Sequence, residues 1–179
     1  MPRVAELPYR SDASTYAEAV IDRPWAVFLD SGRHAPAQPH YDIITADPWC
    51  TLVTRGGLTE VRTGGASSTR HDDPFELLAR TLGKPRPATG PLPFYGGAIG
   101  YFAYDLGRRI ERLPTLAIDD GWFPDMAVGL YAWALIVDHA KRRTWLIRPP
   151  GAAATARTYC RGKCGGDRCR PFSLHPFPD

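Results

Sequence analysis

The sequence predicts an α+β fold that is mostly antiparallel β-sheet with short flanking helices. Three observations carry this. Short strand-like runs recur with Asp-Pro, Gly-Gly or Asp-Ser-Gly turns between them. A single segment, around residues 72–83, has a full set of helix start and stop signals. Finally, Met126–Val137 is apolar at nearly every position, as a strand covered on both faces would be.

Taken in order, Ser11-Asp12-Ala13-Ser14 precedes a stretch in which Tyr16, Ala19 and Val20 share a face at helical spacing. A short capped helix is expected there, ended by Arg23 before Pro24. Trp25–Leu29 reads as a buried strand running into the turn Asp30-Ser31-Gly32, followed by a polar loop from Arg33 to His40. Tyr41–Ala46 is a second strand, Trp49–Thr54 a third and Leu58–Arg62 a fourth, with Asp47-Pro48 and Arg55-Gly56-Gly57 turning the chain between them. Thr63 to Thr69 is small and polar and reads as a loop. Asp72-Asp73 before Pro74, apolar Phe75, Leu78 and Leu82 on one face and a closing Gly83 predict a helix. Lys84 to Pro93 holds four prolines and is a loop or linker. Gly96–Tyr104 should be a strand whose small residues permit close backbone approach, with a short helix over Asp105–Glu111. Met126–Val137 is one long strand, and Arg143–Ile147 pairs back on it across the turn Asp138–Lys141.

A composition of 44% hydrophobic and 23% charged residues fits a globular domain rather than a disordered chain. No stretch approaches the roughly 20 apolar residues of a membrane-spanning helix, and no apolar leader opens the sequence. A cytoplasmic location is expected. The net charge of +3 invites a nucleic-acid reading, but residues 1–150 hold 17 basic and 17 acidic residues, so the excess belongs wholly to residues 151–179. A neutral body offers no basic footprint for phosphates. Residues 1–150 are therefore expected to be the domain, and 151–179 an irregular basic tail with no apolar pattern to bury.

Few residues invite chemistry. Cys50 sits in an apolar run and reads as a buried, inert thiol; Cys160, Cys164 and Cys169 have a spacing that matches no metal motif, so no metal site is assigned. Gly96-Gly97-x-x-Gly100 lacks the residues of a phosphate loop and reads as a glycine-rich strand. His34 and His40 lie loosely near Asp30 and Asp42 and are expected to be solvated, as are His71 and His139. Asp72-Asp73 caps a helix, and Asp119-Asp120 lies in a loop. No catalytic residue is assigned, because no acid pair sits among apolar neighbours and no nucleophile elbow is present.

Four blocks in order, PWAVFLDSG (Pro24–Gly32), YDIITADPWCTLVT (Tyr41–Thr54), LPFYGGAIGYFAYDLGRRIERLP (Leu92–Pro114) and PDMAVGLYAWALIVDH (Pro124–His139), resemble the N-terminal part of aminodeoxychorismate synthase component I. Its close relative is anthranilate synthase component I, and both belong to the chorismate-utilising family. The resemblance covers about residues 15 to 148, and its wording points to the para-aminobenzoate branch, with the tryptophan branch as the alternative. It implies a β-sheet sandwich with short flanking helices.

In that family component I aminates chorismate to 4-amino-4-deoxychorismate with magnesium, for para-aminobenzoate and folate synthesis, and a glutamine amidotransferase subunit supplies the ammonia. The resemblance places the chorismate site and the magnesium ligands in a larger C-terminal domain whose motifs are absent from this sequence. What it carries over is a tryptophan pocket, which would fall on Ser31 and on the run Gln38, Pro39, His40, Tyr41. That run departs from the Tyr-Ser-Arg-Phe wording of the branch. Three readings stay open: a truncated N-terminal part of the enzyme, a stand-alone regulatory module for tryptophan or an amidotransferase, and a decayed fragment with an out-of-frame tail. A further expectation is poor stability, since the cover for Met126–Val137 would belong in part to the absent domain.

Overall fold

The computed structural model describes residues 2–32, 40–84, 90–112, 114 and 123–149. These residues fall into two compact units, each built on one five-stranded antiparallel sheet.

The first unit comprises the described residues of Met1–Ala46, Ala88–Gly96 and Ala132–Asp179. Its strands are β1 (Arg3–Leu7), β2 (Val27–Leu29), β3 (Tyr41–Thr45), β9 (Ala134–Asp138) and β10 (Arg143–Arg148), in the order β1-β10-β9-β3-β2. Side chains alternate across a strand, and both faces of β9 are buried. Leu135 and Val137 join Ile44 and Ala46 under the short helix α1 (Ser14–Ala17), which contributes Tyr16 and Ala17. Ala134 and Ile136 join Ile147 on the opposite face, where Tyr41, Ile43, Leu92, Phe94 and Tyr95 cover them. The predicted helix over 15–21 is shorter than its pattern, because the chain goes on through turns after Ala17; Val20 is still buried with it.

The second unit comprises the described residues of Asp47–Pro87 and Gly97–Tyr131. Its sheet has the order β6-β5-β4-β8-β7, from β4 (Cys50–Arg55), β5 (Leu58–Thr63), β6 (Ala66–Arg70), β7 (Gly97–Phe102) and β8 (Met126–Tyr131). Cys50, Leu52, Met126, Val128 and Leu130 lie on one face beneath Leu77 of α2 (Pro74–Leu82) and Leu106 of a 3-10 helix (Tyr104–Arg109). The cap of α2 has the expected form: Asp73 Oδ1 accepts from the amides of Phe75 and Glu76 at 3.0 and 3.1 Å. The glycine-rich strand is explained at Gly100, where a Cβ would stand 2.1 Å from the Ala127 carbonyl oxygen and 2.6 Å from the Val128 Cα. Close approach of β7 to β8 therefore requires glycine.

The α+β class with dominant antiparallel sheet holds, but further element assignments are corrected. The expected buried strand Trp25–Leu29 is only Val27–Leu29 and partly exposed, with Leu29 45% exposed. Arg3–Leu7 and Ala66–Arg70 are strands. Residues 104–109 form a 3-10 helix. Met126–Val137 is two strands rather than one, broken at Ala132-Trp133 and divided between the two units. The break is held by tertiary bonds: the Trp133 indole N–H donates to the Ala46 carbonyl at 2.8 Å, and Thr45 Oγ1 donates to the Trp133 carbonyl at 2.7 Å. The division also overturns the expected lack of cover, because Met126, Val128, Leu130, Ala134, Leu135, Ile136 and Val137 are all buried within their own units.

Candidate functional site

Strand β2 runs out at Asp30-Ser31-Gly32, where the Gly32 amide donates to Asp30 Oδ1 at 2.7 Å and closes the turn; Gly32 has φ +68°, which suits glycine. Antiparallel pairing with β3 brings Ser31 beside Asp42. The Ser31 amide and hydroxyl both donate to Asp42 Oδ1, each at 2.8 Å. The other carboxylate oxygen, Oδ2, lies 2.7 Å from Nε2 of His139. The register of β3 with β9 explains this meeting, because Tyr41 pairs with Asp138 and the His139 amide then donates to the His40 carbonyl at 3.3 Å. The far side of the imidazole is also occupied: Tyr9 Oη is 3.1 Å from Nδ1, and the His40 ring stacks on His139 at 5.2 Å with the planes 8° apart.

Asp42 is only 4% exposed and the His139 side chain 13%. Burial pushes the Asp42 carboxyl up, but the Ser31 amide, His139 and the Ser31 hydroxyl outweigh it and hold the group below the usual carboxylate range. Asp42 is thus a buried carboxylate with both oxygens hydrogen-bonded. Although a serine, a histidine and an aspartate meet here, the order is wrong for nucleophilic catalysis. Ser31 donates to the carboxylate instead of to the imidazole, so His139 is not placed as its general base.

Beyond Tyr9 lies an open cleft of about 350 Å³ lined by Tyr9, Arg10, Ser11, Asp12, Thr15 and Arg142. The Arg142 guanidinium sits 5.0 Å from the Tyr9 ring centre. Among the described residues no three His, Cys, Asp or Glu side chains converge as a metal site would require, and no helix is long and apolar enough to cross a membrane.

Of the residues that the resemblance assigned to a pocket, Ser31 and His40 are joined through Asp42 and His139. Tyr41 points to the opposite sheet face, packed with Ala134, Ile136 and Ile147. Gln38 and Pro39 lie outside the described residues, as do His34, Asp119-Asp120 and the three tail cysteines. Cys50 is buried, as expected. His139 is corrected: its place after Asp138 reads locally as a solvated turn, yet Tyr9 and Asp42 enclose it. Asp42 itself carried a usable signal, since it stands at an inward-facing position of an otherwise apolar strand.

No protein-family model matches the chain. It is 47% identical over 151 residues to aminodeoxychorismate synthase component 1 of Klebsiella aerogenes, covering 82% of this chain and 33% of that protein. The Escherichia coli K12 protein of the same name is 44% identical over 150 residues, again covering 82% and 33%. This chain is homologous to the N-terminal part of aminodeoxychorismate synthase component 1. It spans about a third of the length of the curated relatives it matches. Anthranilate synthase component 1 of Mycolicibacterium smegmatis is more distant, at 32% identity over 137 residues, or 75% of this chain and 26% of that one. Among solved structures, anthranilate synthase component I from Streptococcus pneumoniae TIGR4 shares the fold, with a TM-score of 0.55 at 24% identity over 82% of this chain and 32% of its own. The name "component 1" in these relatives implies a further component in their assemblies.

Proposed function

We propose that this chain is the non-catalytic N-terminal portion of an aminodeoxychorismate synthase component 1, and that its Ser31–His40 end receives the polar end of an amino acid of tryptophan type. The observation that carries the reading is the joining of Ser31 and His40 through the buried Asp42–His139 pair, on a body that is 44–47% identical to enzymes of that name. The para-aminobenzoate branch is supported by the 44–47% identity with the Klebsiella aerogenes and Escherichia coli proteins of that name.

In this reading residues 1–150 are the homologous domain and 151–179 lie outside it. Amination of chorismate, magnesium binding and ammonia delivery by a glutamine amidotransferase subunit belong to parts that this chain does not supply. Its carboxylates suit that division: Asp42 is taken up by Ser31 and His139, Asp105 by Arg108 and Asp72 by Arg80, which leaves none of these free for a metal or a general acid. The protein would work in the cytoplasm with the biosynthetic enzyme.

Calorimetric titration of the chain with L-tryptophan tests the ligand. Saturable one-site heat that disappears in Ser31→Ala is the expected result, and absence of heat in the unsubstituted protein refutes the pocket. Turnover of chorismate with ammonium and magnesium by the purified chain would refute the non-catalytic assignment.

A further inference from the structure

Arginine side chains are held in two ways in this protein. Arg62, Arg80, Arg108 and Arg143 pair with the carboxylates of Glu60, Asp72, Asp105 and Glu6, at 2.8, 2.6, 2.9 and 2.6 Å respectively. Arg142 differs: among the described residues it makes no ion pair, and its guanidinium rests over the Tyr9 ring, 5.0 Å from the centre. A guanidinium held by an aromatic face keeps its N–H donors for another partner. The platform is itself fixed, since Tyr9 Oη is 3.1 Å from His139 Nδ1. The Arg142 backbone has φ +53°, a conformation that Gly or Asn adopts more readily, so the turn between β9 and β10 has no need of arginine there.

Arg142 lines the open cleft beyond Tyr9, and Arg10 lines it from the segment after β1. Nε of Arg10 is buried. Its head lies beside the Tyr16 phenol, which burial pushes up and which the charge and hydrogen bond of Arg10 pull partway back. Ser11 and Thr15 add hydroxyls to the lining, and Asp12 adds its one acid. Asp12 Oδ1 is already engaged, accepting from the Ser14 amide at 2.9 Å. Two permanent cations against one carboxylate leave the lining positive. We propose that Arg142 and Arg10 make this cleft a binding site for a small oxyanion, a phosphate or a carboxylate group. The inference does not rest on the tryptophan reading. An arginine fork meets two oxygens of such a group at once, and serine and threonine hydroxyls can donate to the others. About 350 Å³ is room for a small molecule, and its charged and hydroxyl-bearing lining suits a polar one. Asp12 faces the same space, so its charge opposes an incoming anion and limits affinity.

The test is calorimetric titration of the whole chain with inorganic phosphate and, separately, with malonate, at low ionic strength because salt screens an open site. Saturable binding of one anion per chain is expected, and the tighter of the two tells whether a phosphate or a carboxylate is the natural group. Arg142→Asn suits the left-handed backbone, and should weaken binding at least about tenfold without lowering the melting temperature. Arg142→Lys keeps the charge but not the fork, and should recover only part of that loss. Asp12→Asn keeps an oxygen to accept from the Ser14 amide but removes the charge, and should strengthen binding by about threefold, a gain that misfolding cannot produce. Absence of saturable binding of either anion, binding that Arg142→Asn leaves unchanged, or binding that Asp12→Asn fails to strengthen overturns the inference.

Discussion

The two units solve the same problem, a five-stranded antiparallel sheet with a buried face, with different chemistry in the interior. In the first, carboxylates are buried: Asp42 is 4% exposed and Asp138 1%. In the second, the buried polar side chains are hydroxyls, Thr51, Thr54 and Thr59, of which the last two bond each other at 2.8 Å. Burying a charge costs far more than burying a hydroxyl unless hydrogen bonds replace its water. A charge kept inside at that cost marks where binding chemistry is to be sought, whereas the neutral second unit is explained by packing alone.

Steric and ionic perturbations should break the units in different ways. The largest effect is expected in the second unit from Gly100→Val, which drives a side chain into the backbone of β8 and should cost about 3 kcal/mol or more in urea denaturation. In the first unit Asp42→Ala leaves the Ser31 amide and the His139 imidazole without their partner, and should cost roughly 2–3 kcal/mol. Amide exchange resolved by residue should assign each loss to its own unit.

Titration sharpens the contrast. The Asp42 carboxyl is held below its ordinary value of 3.8, so its contribution is present above that pH and lost as pH falls through the lower folded value. Amide protection in the first unit should decline in that acid range, and the Asp42→Ala variant should lack that part of the decline. Glu60 and Asp72 of the second unit are also lowered, by Arg62 and Arg80 respectively, but those pairs lie at the surface and are weak. On the alkaline side burial, and then the charge of Asp47, push the Tyr131 phenol of the second unit up to about 12. Stability from the neutral phenol is complete below pH 10 and drains away as pH rises towards 12, which phenolate absorbance in the protein and in Tyr131→Phe will follow. The smallest effect is local: Asp73→Ala removes the cap of α2 and should cost about 1 kcal/mol.

The elements legible in the sequence were those whose signals are local. Helix α2 announces itself through Asp73, Pro74 and Gly83, and β4 and β5 through the glycine pair between them. Strand β6, ASSTR, is exposed along its whole length, so no apolar alternation marks it; only pairing with β5 makes it a strand. Strand β1 likewise depends on β10, from the other end of the described chain. The break at Ala132-Trp133 carries no glycine or proline and is written in bonds to Thr45 and Ala46. The site divides in the same way. Ser31 and His40 were reachable through family wording, whereas His139 meets Asp42 across 97 positions and Tyr9 across 130, separations that no local pattern reports.

The division of the Met126–Val137 run has a bearing on how the chain acquires its shape during synthesis. The second unit is complete once Tyr131 has been made, since all five of its strands precede that point. The first unit holds β1, but among the described residues its central strand β9 and the strand that pairs with β1, β10, are made after every strand of the second unit. At typical synthesis rates of about 5–20 residues per second, β1 waits roughly 7–28 seconds for β10 to be completed. Tyr16 and Val20, buried in the folded protein, therefore stay uncovered in the nascent chain until β9 has been made.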